Sequence, residues 1–211
     1  MYVPSAFREE NTETLVAFMQ AHSFATLVSI RDGMPVASHI PLVATRQDDA
    51  IVLSGHLAKQ NPQWQAFADH ESLAIFTGPH AYVSPDAYEK RENVPTWNYI
   101  AVHAYGHPRP ITLDSSREQM DQMIEDMVNT YGPSYSAQWH SLSEGYRKGM
   151  MEGIVGFEMV VTRLDGKYKL SQNRTPADQA SVAHALLGSD RPEERATGEA
   201  MQQALNAEAQ Q

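Results

Sequence analysis

Alternation of apolar and polar positions is clearest in VPTWNYIAVHAYG, residues 94–106. β-Branched and aromatic residues dominate this stretch, which predicts one long strand. Side chains alternate across a strand. One face therefore carries Asn98, Ile100, Val102 and Ala104, small enough for a packed interior. The other carries Trp97, Tyr99, Ala101, His103 and Tyr105, whose aromatic bodies with polar tips suit subunit interfaces and flat ligands as well as ordinary packing.

Earlier in the chain, Leu15, Val16, Phe18 and Met19 form an apolar stripe that predicts a helix near 12–21, capped by Asn11 or Thr12. FATLVSI, Asp32-Gly33 and MPVASHIPLVAT read as a hairpin, because Asp-Gly supplies the positive φ angles of a tight turn. In its second strand Ser38 and His39 interrupt an apolar run, and His39 fits either a half-exposed strand or a ligand contact. Residues 50–55 form a further strand. Asn61-Pro62 then begins a helix through Trp64 and Phe67, with Gly55, His56 and Lys59 in between. A helix N-terminus flanked by Lys and His is a candidate phosphate site, although a surface lysine beside a cap explains the same residues. SLAIFTG and residues 81–84 read as two short strands, and HPRPITL stays extended because of its prolines.

Beyond residue 114 the period becomes helical. Met120, Met123, Ile124 and Met127 recur on one face, a stripe that reads as adaptable core, and Gly132-Pro133 ends the helix. IVGFEMVVTRL, Asp165-Gly166 and KYKLSQ repeat the hairpin pattern. Lys167, Lys169 and Arg174 are the one concentrated positive patch, which serves either an anionic ligand or an exposed strand edge. TPADQASVAHALLG is a helix, and the Ala/Gln/Glu-rich tail from Arg191 onward is helical too, with Met201 and Leu205 to dock it. About six strands with two inserted helical segments predict an antiparallel barrel with helices outside.

Composition narrows the function. The 211 residues include no cysteine, which excludes disulfides and thiolate chemistry and fits a reducing cytoplasm. No apolar run reaches the roughly 20 residues of a membrane helix. The first 15 residues show no basic segment followed by an apolar one, so no secretory leader and no membrane partner are expected. The net charge is −10, with 7 Lys/Arg against 11 Asp/Glu up to residue 110 and 9 against 15 after it. Such a chain has no basic tail for phosphate backbones, so any DNA contact must be local. His103 and His107 are four apart on a strand just before Pro108, not one helical turn apart, and there is no HExxH, GxSxG, GxxxxGKS/T or GxGxxG. No metal site is expected and no catalytic acid/base pair can be named. A phosphate site, an aromatic strand and a basic hairpin together suit a phosphorylated ligand with a flat ring; FMN has that shape, as do other phosphorylated ligands.

ASHIPLV, GHLAKQNPQW, IFTGPHAYVSP, VPTWNYIAVHAYG, IVGFE and KLSQN, in this order, resemble the PaiB-type family of FMN-binding negative transcriptional regulators. The resemblance covers roughly residues 1–187. It implies a mainly β (α+β) fold with flanking helices, the six-stranded antiparallel FMN-binding split β-barrel shared with pyridoxamine-phosphate oxidase-like flavoproteins. The helical segments at about 114–150 are then insertions in this domain, the helical tail at 188–211 follows it, and the resemblance implies a homodimer with flavin at the dimer interface. Ser38, His39 and Ile40 then line the isoalloxazine side. His56, Ala58, Lys59 and Asn61 hold the phosphate. Trp97 and Asn98 come from the central strand, of this subunit or its partner, and Lys169 and Gln172 close the site. Two departures stand out. The family more often has SPSWY where this chain has SPDAY, so that loop lacks an aromatic. Lys59 replaces a common Arg, keeping the charge and losing the bidentate fork. The implied role is transcriptional repression, acting on DNA, through a protein partner or through metabolite levels; the alternative is a flavin-dependent oxidoreductase using FMN.

Overall fold

The structure is a computed structural model that describes residues 1–208; positions 209–211 of the expected tail helix lie outside the described residues. The described residues form eight strands and six α-helices, with the second to seventh strands consecutive and three helices inserted before the eighth. The strands are β1 (Arg8–Glu9), β2 (Phe24–Arg31), β3 (Met34–Pro41), β4 (Val43–Gln47), β5 (Ala50–Ala58), β6 (Ser72–Val83), β7 (Thr96–Ile111) and β8 (Ile154–Lys169). The helices are α1 (Thr12–Ala21), α2 (Arg117–Tyr131), α3 (Ser136–Ser141), α4 (Glu144–Glu152), α5 (Pro176–Leu187) and α6 (Pro192–Glu208). Among the described residues no helix is long and apolar enough to cross a membrane.

The expected six-stranded split barrel does not form. The strands follow an open path, β3-β2-β6-β7-β8-β5-β4, with β1 added beside β8. The path ends at β3 and β4, and no ladder joins those ends among the described residues. The end strand β3 carries Pro35 and Pro41, which lack N–H donors and so offer fewer bonds to a further strand. Leu42 alone separates β3 from β4, and its N–H is donated to the Ser23 carbonyl. The protein is therefore mixed α/β on an open eight-stranded sheet, with more helix than a mainly β class implies.

Local expectations hold in several elements. α1 begins where Asn11 Oδ1 accepts the Thr14 N–H at 2.9 Å. Asp32 (φ 52°) and Gly33 (φ 76°) make the hairpin turn between β2 and β3. β7 runs for 16 residues through Pro108 and Pro110, and its aliphatic face, Asn98, Ile100, Val102 and Ala104, is buried. Two expected short strands prove to be one, since β6 passes unbroken through Gly78-Pro79.

The chain clusters into two compact units, with β6, β7 and β8 contributing residues to both. One comprises residues 1–15, 77–102 and 165 onward; Val83, Val102, Leu170, Val182, Leu186 and Met201 are among its buried side chains. The other comprises residues 16–76 and 103–164, where Leu27, Leu42, Leu53, Phe67, Phe76 and Phe157 are buried. Phe67 and Phe157 meet edge to face at 5.1 Å, and Met120, Met123 and Met151 cluster with Ile111. The methionine stripe of α2 is thus core.

Asp165-Gly166 is not a turn. β8 runs straight through it, and Gly166 faces Glu9 of β1 in register. Glycine is required there for closeness: a Cβ would lie 2.8 Å from the Glu9 carbonyl oxygen and would also strike the buried Leu15 side chain. Overpacking of this kind costs about 1–3 kcal/mol. Gly166→Ala is accordingly expected to lower stability by about that amount, read from the urea midpoint, and an unchanged midpoint would contradict the packing argument.

Candidate functional site

In the unit formed by residues 16–76 and 103–164, Ser38 and Asn61, two of the positions expected at the flavin, meet around a buried amide that the sequence reading did not single out. Gln63 is 2% exposed. Its Oε1 accepts the Ser38 hydroxyl at 2.6 Å, and its Nε2 donates to the Leu27 carbonyl at 2.9 Å and to Ser29 Oγ at 3.2 Å. Asn61 completes the network, with Nδ2 donating to Ser38 Oγ at 2.8 Å and Oδ1 accepting the Gln63 N–H at 3.0 Å. The expected helix after Asn61 is a five-residue 3₁₀ segment, Pro62–Ala66. So short a segment has little macrodipole, and the helix-terminus argument for a phosphate site weakens accordingly.

What remains for an anion is the turn itself. The Lys59 N–H donates to the Gly153 carbonyl at 2.9 Å, the Lys59 carbonyl accepts Trp64 Nε1 at 3.1 Å, and the Asn61 N–H donates to the Ala58 carbonyl at 2.8 Å. The backbone is therefore fixed on three sides. The exposed Lys59 side chain makes no ion pair among the described residues. It borders a cavity of about 270 Å³ lined also by Thr112, Leu113, Asp114, Arg117, Lys148, Met151, Glu152 and Ile154.

His56 is half-buried on β5, and its Nδ1 lies 3.4 Å from Met127 Sδ. Burial lowers its pKa from the ordinary value. An imidazole uncharged at neutral pH brings no positive charge to a phosphate, so Lys59 is the cation of this group. His39 is exposed on β3, bonded to Thr26 Oγ1 at 3.0 Å and stacked with Phe24 at 6.5 Å. Ile40 beside it is half-buried, and Ala58 is exposed.

The other predicted residues lie in the second unit. Trp97 is 46% exposed; its Nε1 donates to His80 Nδ1 at 3.3 Å, and Tyr82 packs edge-on at 6.1 Å. Asn98 is fully buried, its Nδ2 donating to Ser171 Oγ at 2.9 Å and contacting Met201 Sδ at 3.4 Å, while its Oδ1 has no hydrogen-bond partner. Lys169 Nζ donates to the Trp97 carbonyl at 2.6 Å and to Thr96 Oγ1. Gln172 closes its own turn, accepting the Leu170 N–H at 2.7 Å and donating to the Tyr168 carbonyl at 2.5 Å. Among the described residues no cluster of three or more His, Asp or Glu could hold a metal.

Within the unit of residues 16–76 and 103–164 the donor chemistry suits an anion such as a phosphate, because a fixed turn presents an unpaired ammonium. Comparison with known proteins agrees. Residues 1–163 match the family model described as "Putative FMN-binding domain". The chain is 38% identical over 206 residues to protease synthase and sporulation protein PAI 2 of Bacillus subtilis (strain 168), covering 97% of this chain and 98% of that protein. It is 34% identical over 193 residues to an uncharacterized protein of Emericella nidulans, covering 73% and 76%. Two solved structures share the fold: the flavocytochrome Anf3 of Azotobacter vinelandii (TM-score 0.57, 16% identity, 80% of this chain and 70% of that one) and an FAD and heme binding protein of Mycobacterium smegmatis (TM-score 0.54, 18% identity, 77% and 73%). The chain belongs to the PaiB-type family of FMN-binding proteins, and FMN is its cofactor.

Two outcomes follow from this geometry. Gln63→Leu removes the partner of Ser38 and of two further buried groups, and should cost at least about 2 kcal/mol in chemical denaturation. For His56, the unfolded chain takes up its proton near pH 6.5 and the folded chain only at lower pH. The stability it confers is complete above about pH 6.5 and is lost as pH falls through the folded value. A urea midpoint that drops below pH 6.5 in the wild type should drop less in His56→Gln, and NMR should place the His56 titration below that of a free imidazole.

Proposed function

We propose that the protein is a homodimeric FMN-binding negative regulator of transcription in which Lys59 receives the flavin phosphate. The rigid turn at residues 58–63, with its unpaired ammonium beside a small cavity, carries this reading. A recess of about 270 Å³ lies below the roughly 300–1,000 Å³ of pockets that enclose a drug-sized ligand. It matches a phosphate and the start of its chain, leaving the ring outside. On this reading Ser38, His39 and Ile40 flank the ring, His56, Ala58 and Asn61 frame the phosphate, and the exposed Trp97 faces a second copy. Asn98 and Gln172, engaged within their own unit, support that unit's shape.

Bound FMN supplies electron chemistry, while the chain supplies orientation and charge. Regulation is favoured over turnover because the Bacillus relative is named for two cellular programmes and no acid/base pair stands out in the site. With a net charge of −10, repression runs through a partner or through metabolite levels.

Lys59→Ala should weaken FMN binding by about 10–100-fold, the worth of one charged hydrogen bond, with an unchanged melting temperature. Flavin fluorescence titration reads the affinity, and an unaltered Kd would remove Lys59 from the site. A DNA mobility shift at fixed salt should be absent; a strong, salt-sensitive shift would overturn the indirect route.

A further inference from the structure

The unit formed by residues 1–15, 77–102 and 165 onward holds three cations whose hydrogen-bond partners are all neutral. Lys167 and Lys169 alternate along the end of β8 and so share a face, and Arg174 follows on the next turn. Lys167 is only 8% exposed; its Nζ donates to the Tyr2 carbonyl at 3.3 Å and lies 5.7 Å and 5.2 Å from the rings of Tyr2 and Tyr99. Lys169 donates to Trp97 and Thr96, as described. Arg174 donates to Asn93 Oδ1 at 2.7 Å and stacks 4.5 Å above Tyr88. None of the three is ion-paired among the described residues. Two carboxylates of the unit are engaged elsewhere: Asp165 holds the N-terminal ammonium at 2.5 Å, and Asp178 accepts the Glu89 N–H at 2.8 Å.

In a chain with ten surplus negative charges, three mutually repelling cations held beside neutral partners call for an anion from outside. The Lys169 ammonium registers the crowding: burial first, then Lys167 and Arg174, lower its pKa. We propose that Lys167, Lys169 and Arg174 form a second anion site, for a phosphate group, separate from the flavin phosphate at Lys59. A buried ammonium and a guanidinium fork suit a multiply charged tetrahedral oxyanion, and the bordering tyrosines suit an ester carrying a flat group. All three cations lie beyond residue 163, where the matched family model ends. Lys169, which the family resemblance gives to the flavin, belongs here with the other two.

The test uses the full chain, with Arg174→Gln and Lys167→Met as separate variants. Melting temperatures are compared in inorganic phosphate, in phenyl phosphate and in sodium chloride of equal ionic strength. Phosphate also stabilises proteins by exclusion from their surface, so the readout is the difference between wild type and variant. Wild type should gain about 3–6 °C at roughly ten times the phosphate Kd, and the variants should lose most of that gain. Arg174 is partly exposed and its variant is expected to fold, so a misfolded Lys167→Met still leaves a decisive comparison. A larger gain with phenyl phosphate identifies an aromatic ester, and an equal gain identifies free phosphate; either supports the site. Equal responses in wild type and Arg174→Gln would overturn it. FMN fluorescence titration on the same samples should give an unchanged Kd; a Kd weakened in Arg174→Gln would make the cluster part of the flavin site and end the proposal. A wild type that binds no FMN but keeps its phosphate response would count against the Lys59 reading alone.

Discussion

A single buried amide ties the β2–β3 hairpin to the turn that carries Lys59. Gln63 joins the Ser38 hydroxyl on β3, the Leu27 carbonyl and the Ser29 hydroxyl on β2, and through Asn61 the turn that carries Lys59. Buried polar groups are costly unless satisfied, and a satisfied one admits few alternative arrangements. This network therefore does more than stabilise. It fixes the backbone from Ala58 to Gln63 against the hairpin, so the exposed lysine starts from an immobile base. A lysine on a frayed loop would have to be ordered by its ligand; here much of that ordering belongs to the fold.

Much of the fold could be read from periodicity, and the failures are instructive. The methionines at 120, 123 and 127 gave the helix and its buried face together. Asp32-Gly33 and Asp165-Gly166 are the same dipeptide between apolar strands, yet the first turns and the second runs straight. The difference lies in Glu9 and Leu15, more than 150 residues before Gly166, and no local pattern reports their approach. Barrel closure failed for a related reason. Pro35 and Pro41 were visible, but Pro79, Pro108 and Pro110 lie in interior strands, so proline alone does not say which strand ends a sheet. Gln63 escaped notice because a polar residue after a cap reads as solvent-facing surface. Its only signal was its place two residues beyond Asn61. Positions brought forward by family resemblance divide in the structure: Lys59, His39 and Trp97 present exposed side chains, whereas Asn98 and Gln172 are engaged in internal hydrogen bonds.

Charge is handled differently in the two units. Lys59 stands exposed beside a cavity, whereas Lys167 is buried among tyrosines and a backbone carbonyl. Against a net charge of −10, the long-range field repels the anions that these cations suit. Capture must then rest on short-range contacts, and salt, by screening the repulsion, should assist encounter more than it weakens the bound state. That is the reverse of the behaviour of basic nucleic-acid-binding proteins.

The composition of the first unit bears on how the protein is made. Its three segments, residues 1–15, 77–102 and 165 onward, are far apart in the chain, and β1 pairs with the last strand. Contacts of such long sequence separation form late. During synthesis, Arg8 and Glu9 must wait for Gly166 and Lys167 to leave the ribosome before their ladder can close. The N-terminal segment is thus exposed for most of translation, an interval in which chaperones and proteases meet an unfinished sheet.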